Sequence, residues 1–77
     1  MAANTSFTGA ADATLSFDRP VDYLNIGVAT GTTFSFSLDG VNYIPVIPGF
    51  YGVRVGGIET VYISSSGGSW GVNGVQA

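Results

Sequence analysis

Histidine, cysteine and lysine are all absent from this chain of 77 residues, and Arg19 and Arg54 are its only basic side chains. Most of the groups that serve as general bases, activated nucleophiles or soft metal ligands are therefore missing. Without cysteine no disulfide can staple the fold, and structural zinc, which draws nearly all its ligands from Cys and His, is excluded too. An oxygen-ligated ion is the one metal chemistry left open. Charge is scarce: 9% of residues are charged and 45% are hydrophobic, where an ordinary domain is about 25% charged. The formal net charge of −3 argues against a nucleic-acid partner, because phosphate binding needs clustered Lys or Arg. No apolar run approaches the about 18 residues of a membrane span, and Met1-Ala2-Ala3-Asn4 lacks the basic start of a secretory leader. The expectation is a protein made in the cytoplasm, without a membrane partner. In that setting the glycosylation sequon Asn4-Thr5-Ser6 carries no meaning.

Size sharpens the consequence of these absences. Below roughly 70 to 80 residues one core seldom supplies more than about 3 to 5 kcal/mol, and natural mini-domains add disulfides, a metal or oligomerisation. Oligomerisation, or docking on a larger assembly, is what remains. A surface built from Ser, Thr, Asn, Gly and exposed apolar groups points the same way, since soluble monomers usually keep charge on view.

What is present is period-two alternation. Residues 1–12 show no periodicity and read as an extended arm carrying Phe7; residues 13–77 read as one β-sandwich domain. Leu15 and Phe17 alternate with Thr14 and Ser16 until Asp18-Arg19-Pro20 ends the run. Leu24, Ile26 and Val28 then face one way, and after Thr30-Gly31-Thr32 so do Phe34, Phe36 and Leu38. Asp39-Gly40 suits a type I′ hairpin turn, returning through Val41 to Ile47 along an edge strand marked by Pro45. Phe50 to Val55 and Thr60 to Ser64, separated by a turn at Gly56-Gly57, add two strands, and Ser69 to Val75 adds a last one. The inward set is Leu15, Phe17, Leu24, Ile26, Val28, Phe34, Phe36, Leu38, Val53, Val55, Val61, Ile63, Trp70 and Val72. The fold class is all-β: a small antiparallel β-sandwich or jelly-roll-like barrel of about seven short strands.

Candidate sites are few. Asp12, Asp18, Asp22 and Asp39 could offer oxygen ligands, but their spacing fits no calcium loop, and aspartate beside Pro20 or Gly40 is ordinary turn chemistry. Ser64, Ser65 and Ser66 have no histidine or lysine to activate them, and so small a sandwich has little room for a two-carboxylate cleft. No cofactor site is expected. The residues that stand out are aromatic or basic: Phe7, Tyr23, Tyr43, Tyr51 and Tyr62, with Arg19 and Arg54, form a candidate protein interface.

The run Phe34-Ser35-Phe36-Ser37-Leu38-Asp39-Gly40-Val41-Asn42-Tyr43, followed by Gly52-Val53-Arg54-Val55 and Glu59-Thr60-Val61-Tyr62-Ile63-Ser64, resembles small virion proteins of tailed bacteriophages. The resemblance is a pattern of hairpins covering residues 13–75 and contains no catalytic motif. It implies a non-enzymatic capsid cement, or decoration, subunit: a β-rich module on the capsid exterior, often a homo-trimer, that binds and stabilises the lattice of the major capsid protein. A neck or tail adaptor, or a head-fibre component, could be built from the same hairpins. A carbohydrate-binding module using the exposed tyrosines is the reading from a different class.

Overall fold

The computed structural model describes residues 3–76, with side chains over residues 5–75. It is all-β. Six strands, β1 (Ala3–Gly9), β2 (Ala13–Val28), β3 (Thr33–Ser37), β4 (Ile44–Val46), β5 (Gly49–Ser66) and β6 (Trp70–Gln76), form one antiparallel sheet in the order β1-β6-β2-β5-β3-β4. No helix occurs among the described residues.

Two strands, of 16 and 18 residues, organise everything else. β2 and β5 pair at both ends, Ala13–Ser16 against Ile63–Thr60 and Tyr23–Val28 against Arg54–Gly49, but the ladder is interrupted between. On β2 the interruption contains Pro20, whose missing N–H is harmless where no ladder bond is made. On β5 it contains Gly56 and Gly57, at φ of 66° and 87°. That left-handed backbone favours glycine, so the pair bends the strand where most side-chain-bearing residues would be strained. Pro20 lies against the Gly57 backbone, so the two irregular stretches face each other.

β2 also changes parity. Leu15, Phe17 and Val21 are buried at odd positions, and Leu24, Ile26 and Val28 at even ones. A bulge between Val21 and Tyr23 inserts one residue and restores the apolar set to the inner face. Beyond the bend, β2 and β5 pair with different outer strands: β6 joins Val21–Val28, and β3 joins Tyr62–Ser66 of β5. One half of the sheet is thus β1-β6-β2-β5 and the other β2-β5-β3-β4.

The halves fold onto each other. In a flat sheet β3 and β6 would lie three strand spacings apart, about 14 Å. Instead the Phe34 and Trp70 rings are 5.9 Å apart between centroids. Thr32 Oγ1 donates to the Ser69 carbonyl (3.2 Å) and accepts from its amide (3.0 Å), and Trp70 Nε1 donates to the Ala11 carbonyl at 3.1 Å. The single core enclosed contains Leu15, Phe17, Val21, Leu24, Ile26, Val28, Phe34, Phe36, Val61, Ile63, Trp70 and Val72.

Several expectations change. The expected strands on either side of Asp18-Arg19-Pro20 are one strand, as are those on either side of Gly56-Gly57, so the seven expected become five, and Ala3–Gly9 from the expected arm makes six among the described residues. Proline and glycine punctuate here by bending, not by ending. Within the expected arm, Met1 and Ala2 lie outside the described residues; Ala3–Gly9 is indeed extended, but as an edge strand paired with β6. Its Phe7 ring meets Phe17 edge-on at 5.4 Å. Leu38 is not in the core: it is 39% exposed, at the start of a loop. The turn there is not type I′, because that geometry needs positive φ at both central residues, and only Gly40 has it.

These placements separate two leucines that look alike in the alternation. Leu24→Ala should cost about 2 to 5 kcal/mol and Leu38→Ala within about 0.5 kcal/mol, as read by urea unfolding. Equal costs would contradict the bend and bulge described here.

Candidate binding surfaces

Loop 38–43 is held by one carboxylate. Asp39 Oδ1 accepts from the amides of Val41 (2.8 Å) and Asn42 (2.9 Å) and from the Ser37 hydroxyl (2.8 Å), while Oδ2 accepts from Asn42 Nδ2 at 2.9 Å. Ser37 Oγ in turn accepts from the amides of Asp39 and Gly40 at 3.2 and 2.8 Å. The loop therefore lies down over Ser37, which is fully buried although its neighbours Phe34 and Phe36 fill the opposite face. Gly40 rests against the Tyr62 ring. Turn chemistry, not ion binding, accounts for Asp39.

What this loop presents is apolar. Val41 is 78% exposed and Ile47 74%, with Ile44 and Tyr43 also exposed beside the short edge strand β4. Next to them an open cavity of about 420 Å³ enters the mouth of the sandwich, lined by Ile26, Phe36, Ile44, Val46, Ile47 and Val53, with Pro45 and Tyr51 completing the wall. Pro45 fits on β4 because that strand is the sheet's edge and one of its N–H rows is unpaired.

A second surface is the outer face of β1-β6-β2-β5. It carries an open groove of about 560 Å³, bordered by Ser6, Thr8, Tyr23, Asn25, Phe50 and Asn73 over a glycine floor. A third hollow lies between Asp12, Thr14, Tyr43, Tyr62 and Ser64. There Asp12 is already committed, accepting from the Ser65 amide at 2.8 Å. Among the described residues no three carboxylates converge as a metal site would require.

The seven residues singled out from sequence do not form one patch. Phe7, Tyr23 and Tyr51 border the groove, and Tyr43 and Tyr62 border the third hollow. Phe7 and Tyr51 spend most of their rings on the core. Arg54 is exposed opposite Tyr23, and Arg19 sits on the exposed bend of β2, already engaged in an interaction of its own. Alternation on β5 does point Phe50 outward once Val53 and Val55 are inward, and Ile44-Pro45-Val46-Ile47-Pro48 is an apolar run whose prolines keep it out of a central strand. Both signals were available; Asn25 and Asn73, by contrast, carry no sequence mark that sets them apart. Compared with known proteins, the chain matches no protein-family model, no curated protein and no solved structure.

The Asp39 anchor has a pH signature. The amides of Asn42 and Val41, with the Asn42 and Ser37 side chains, hold its carboxyl far below the ordinary 3.8. A carboxylate with lowered folded pKa contributes stability above its unfolded value and loses it only as pH falls through the folded one. The Val41 and Asn42 amides should therefore stay protected from hydrogen exchange at pH values where other carboxylates are already neutral. Asp39→Ala should remove that protection at neutral pH, and a loop that opens near the ordinary carboxylate pKa would contradict the assignment.

Proposed function

We propose that this chain is a non-enzymatic virion structural protein of a tailed bacteriophage, a cement subunit on the capsid exterior that binds and stabilises the lattice of the major capsid protein. The observation that carries the reading is the uncovered apolar end: Ile44 and Ile47 exposed at an edge strand and an apolar cavity, with Val41 and Tyr43 exposed in the loop that leads into that strand, on a chain with few charges to keep it apart from neighbours. Burying such side chains on a partner removes apolar surface from water at about 25 cal/mol per Å². The hairpin resemblance supplies the kind of partner, and a homo-trimer is the favoured state of the bound subunit.

Mechanism in such a role is additive. Each subunit contributes modest contacts, and symmetry repeats them around the shell, so that removing one capsomer means breaking many at once. No step of bond chemistry is involved. Uncharged surface suits this task because desolvating it on docking costs less than desolvating paired ions.

Ile44→Asp and Ile47→Asp test the proposal, since both side chains are exposed and the substitutions should leave the unfolding midpoint nearly unchanged. The expected outcome is loss of co-sedimentation with shells of the major capsid protein, together with a fall in the assembled mass by light scattering. A stable monomer that ignores those shells before and after substitution would overturn the reading; binding only to purified tails or fibres would move it to an adaptor or head-fibre role.

A further inference from the structure

The outer face of β1-β6-β2-β5 is separate from the apolar end, and its residues are set in rows by the sheet register. Ser6, Asn73, Asn25 and Gly52 lie in one row across four strands, and Thr8, Gly71, Gly27 and Phe50 in the next. Along the first row Asn25 Nδ2 donates to Asn73 Oδ1 at 3.2 Å, and Asn73 Nδ2 donates to Ser6 Oγ at 2.8 Å. Each amide is thereby fixed in orientation by the next. Asn25 Oδ1, the Ser6 hydroxyl proton and the second N–H of each amide have no partner among the described residues.

Two aromatic rings flank this row. Tyr23, from β2, reaches across Gly52 of β5 so closely that a Cβ at that position would collide with its ring. Phe50, from β5, lies against Gly27 of β2, with ring atoms 3.1 and 3.2 Å from where a Cβ would stand. Glycine at both places lets the rings settle toward the sheet. Phe50 is nonetheless 93% exposed, an apolar ring presented to solvent.

The geometry points to a binding site for a neutral oligosaccharide. None of the groove's lining side chains is charged, which fits an uncharged ligand, and a single arginine beside it, Arg54 in register with Tyr23, is too little for a nucleic-acid backbone. A purely apolar occupant would bury the amide row without hydrogen-bond partners. A β-strand peptide would need free backbone donors, and the strands at the centre of the groove are already paired on both sides. A pyranose answers all three conditions, with hydroxyls for Asn25, Asn73 and Ser6 and C–H faces for Tyr23 and Phe50. The volume of about 560 Å³ falls within the span of small-ligand sites.

The test titrates the full chain, labelled with nitrogen-15, with cellotriose, maltotriose and chitotriose at millimolar concentrations. At least one should produce saturable shifts confined to the Asn25 and Asn73 side-chain amides and the backbone amides of Gly27, Gly52 and Gly71. Phe50→Ala and Tyr23→Ala should each weaken that binding by about tenfold, while Tyr23→Phe retains it and all three keep the parent spectrum elsewhere. Absence of shifts with every sugar, or binding unaltered by Phe50→Ala, would overturn the inference. So would a fall in self-association on Phe50→Ala without any sugar response, which would make this face a contact between copies.

Discussion

Everything in this molecule depends on two long strands bending at the same level. The described strands form one sheet that covers itself, and the cover is created where the β2–β5 ladder is interrupted. Gly56 and Gly57 supply the backbone that β5 needs, and the bulge beside Val21 supplies the parity change that β2 needs. Either device alone would fail. A bend without the bulge would turn Leu24, Ile26 and Val28 to solvent, and a bulge without the bend would leave two apolar half-faces uncovered. Together they give a continuous core from Phe36 to Trp70 with no disulfide.

Alternation made the core legible from sequence, and it did so because it is a local property: the side-chain period of two holds in a strand whatever that strand pairs with. Leu15, Phe17, Leu24, Ile26, Val28, Phe34, Phe36, Val61, Ile63, Trp70 and Val72 are all inward as the pattern implies. What alternation could not convey was continuity. Pro20 and the Gly56-Gly57 pair look the same locally whether a strand stops or merely bends, and only the partner strand decides which. Val21 escaped notice for this reason: it stands next to Pro20, yet is fully buried. Ala3–Gly9 escaped for another, since Phe7 is its one large apolar residue and a single such residue makes no stripe, so its β6 ladder does most to specify it.

The candidate surfaces were less legible than the core because each is assembled from residues distant in sequence. Tyr23 and Tyr51 were visible as aromatic residues, but their roles differ through parity, Tyr23 lying on the outer face and Tyr51 packing inward. Asn25, Asn73 and Ser6 are unremarked polar residues until register places them in one row. Scarcity of charge decides the character of both surfaces. Lysine is absent and both arginines lie on the inner strands β2 and β5, so no cation guards an edge, and the two edge strands differ in what replaces it: β4 is short and carries Pro45, whereas β1 has seven residues, no charge and no proline. An edge of the second kind is open to further strands, a liability in a monomer and an asset in an assembly.

Tyr51 connects the two surfaces. The residue is among those that line both the outer groove and the apolar cavity, and its hydroxyl donates to the Pro48 carbonyl at 3.4 Å, tying down the link between β4 and β5. Gly49, the next residue, has φ of 144°, a conformation that side-chain-bearing residues rarely adopt, so the chain leaves β4 along a fixed path. That path sets the phase of β5: beginning the strand one residue later would exchange Phe50 and Tyr51 between faces. The groove would then present Tyr51 in place of Phe50, and the cavity would lose the polar tip that anchors its rim. Placement of the apolar end and of the outer groove is therefore one decision, made at Pro48-Gly49 and carried along β5 by the period of the strand.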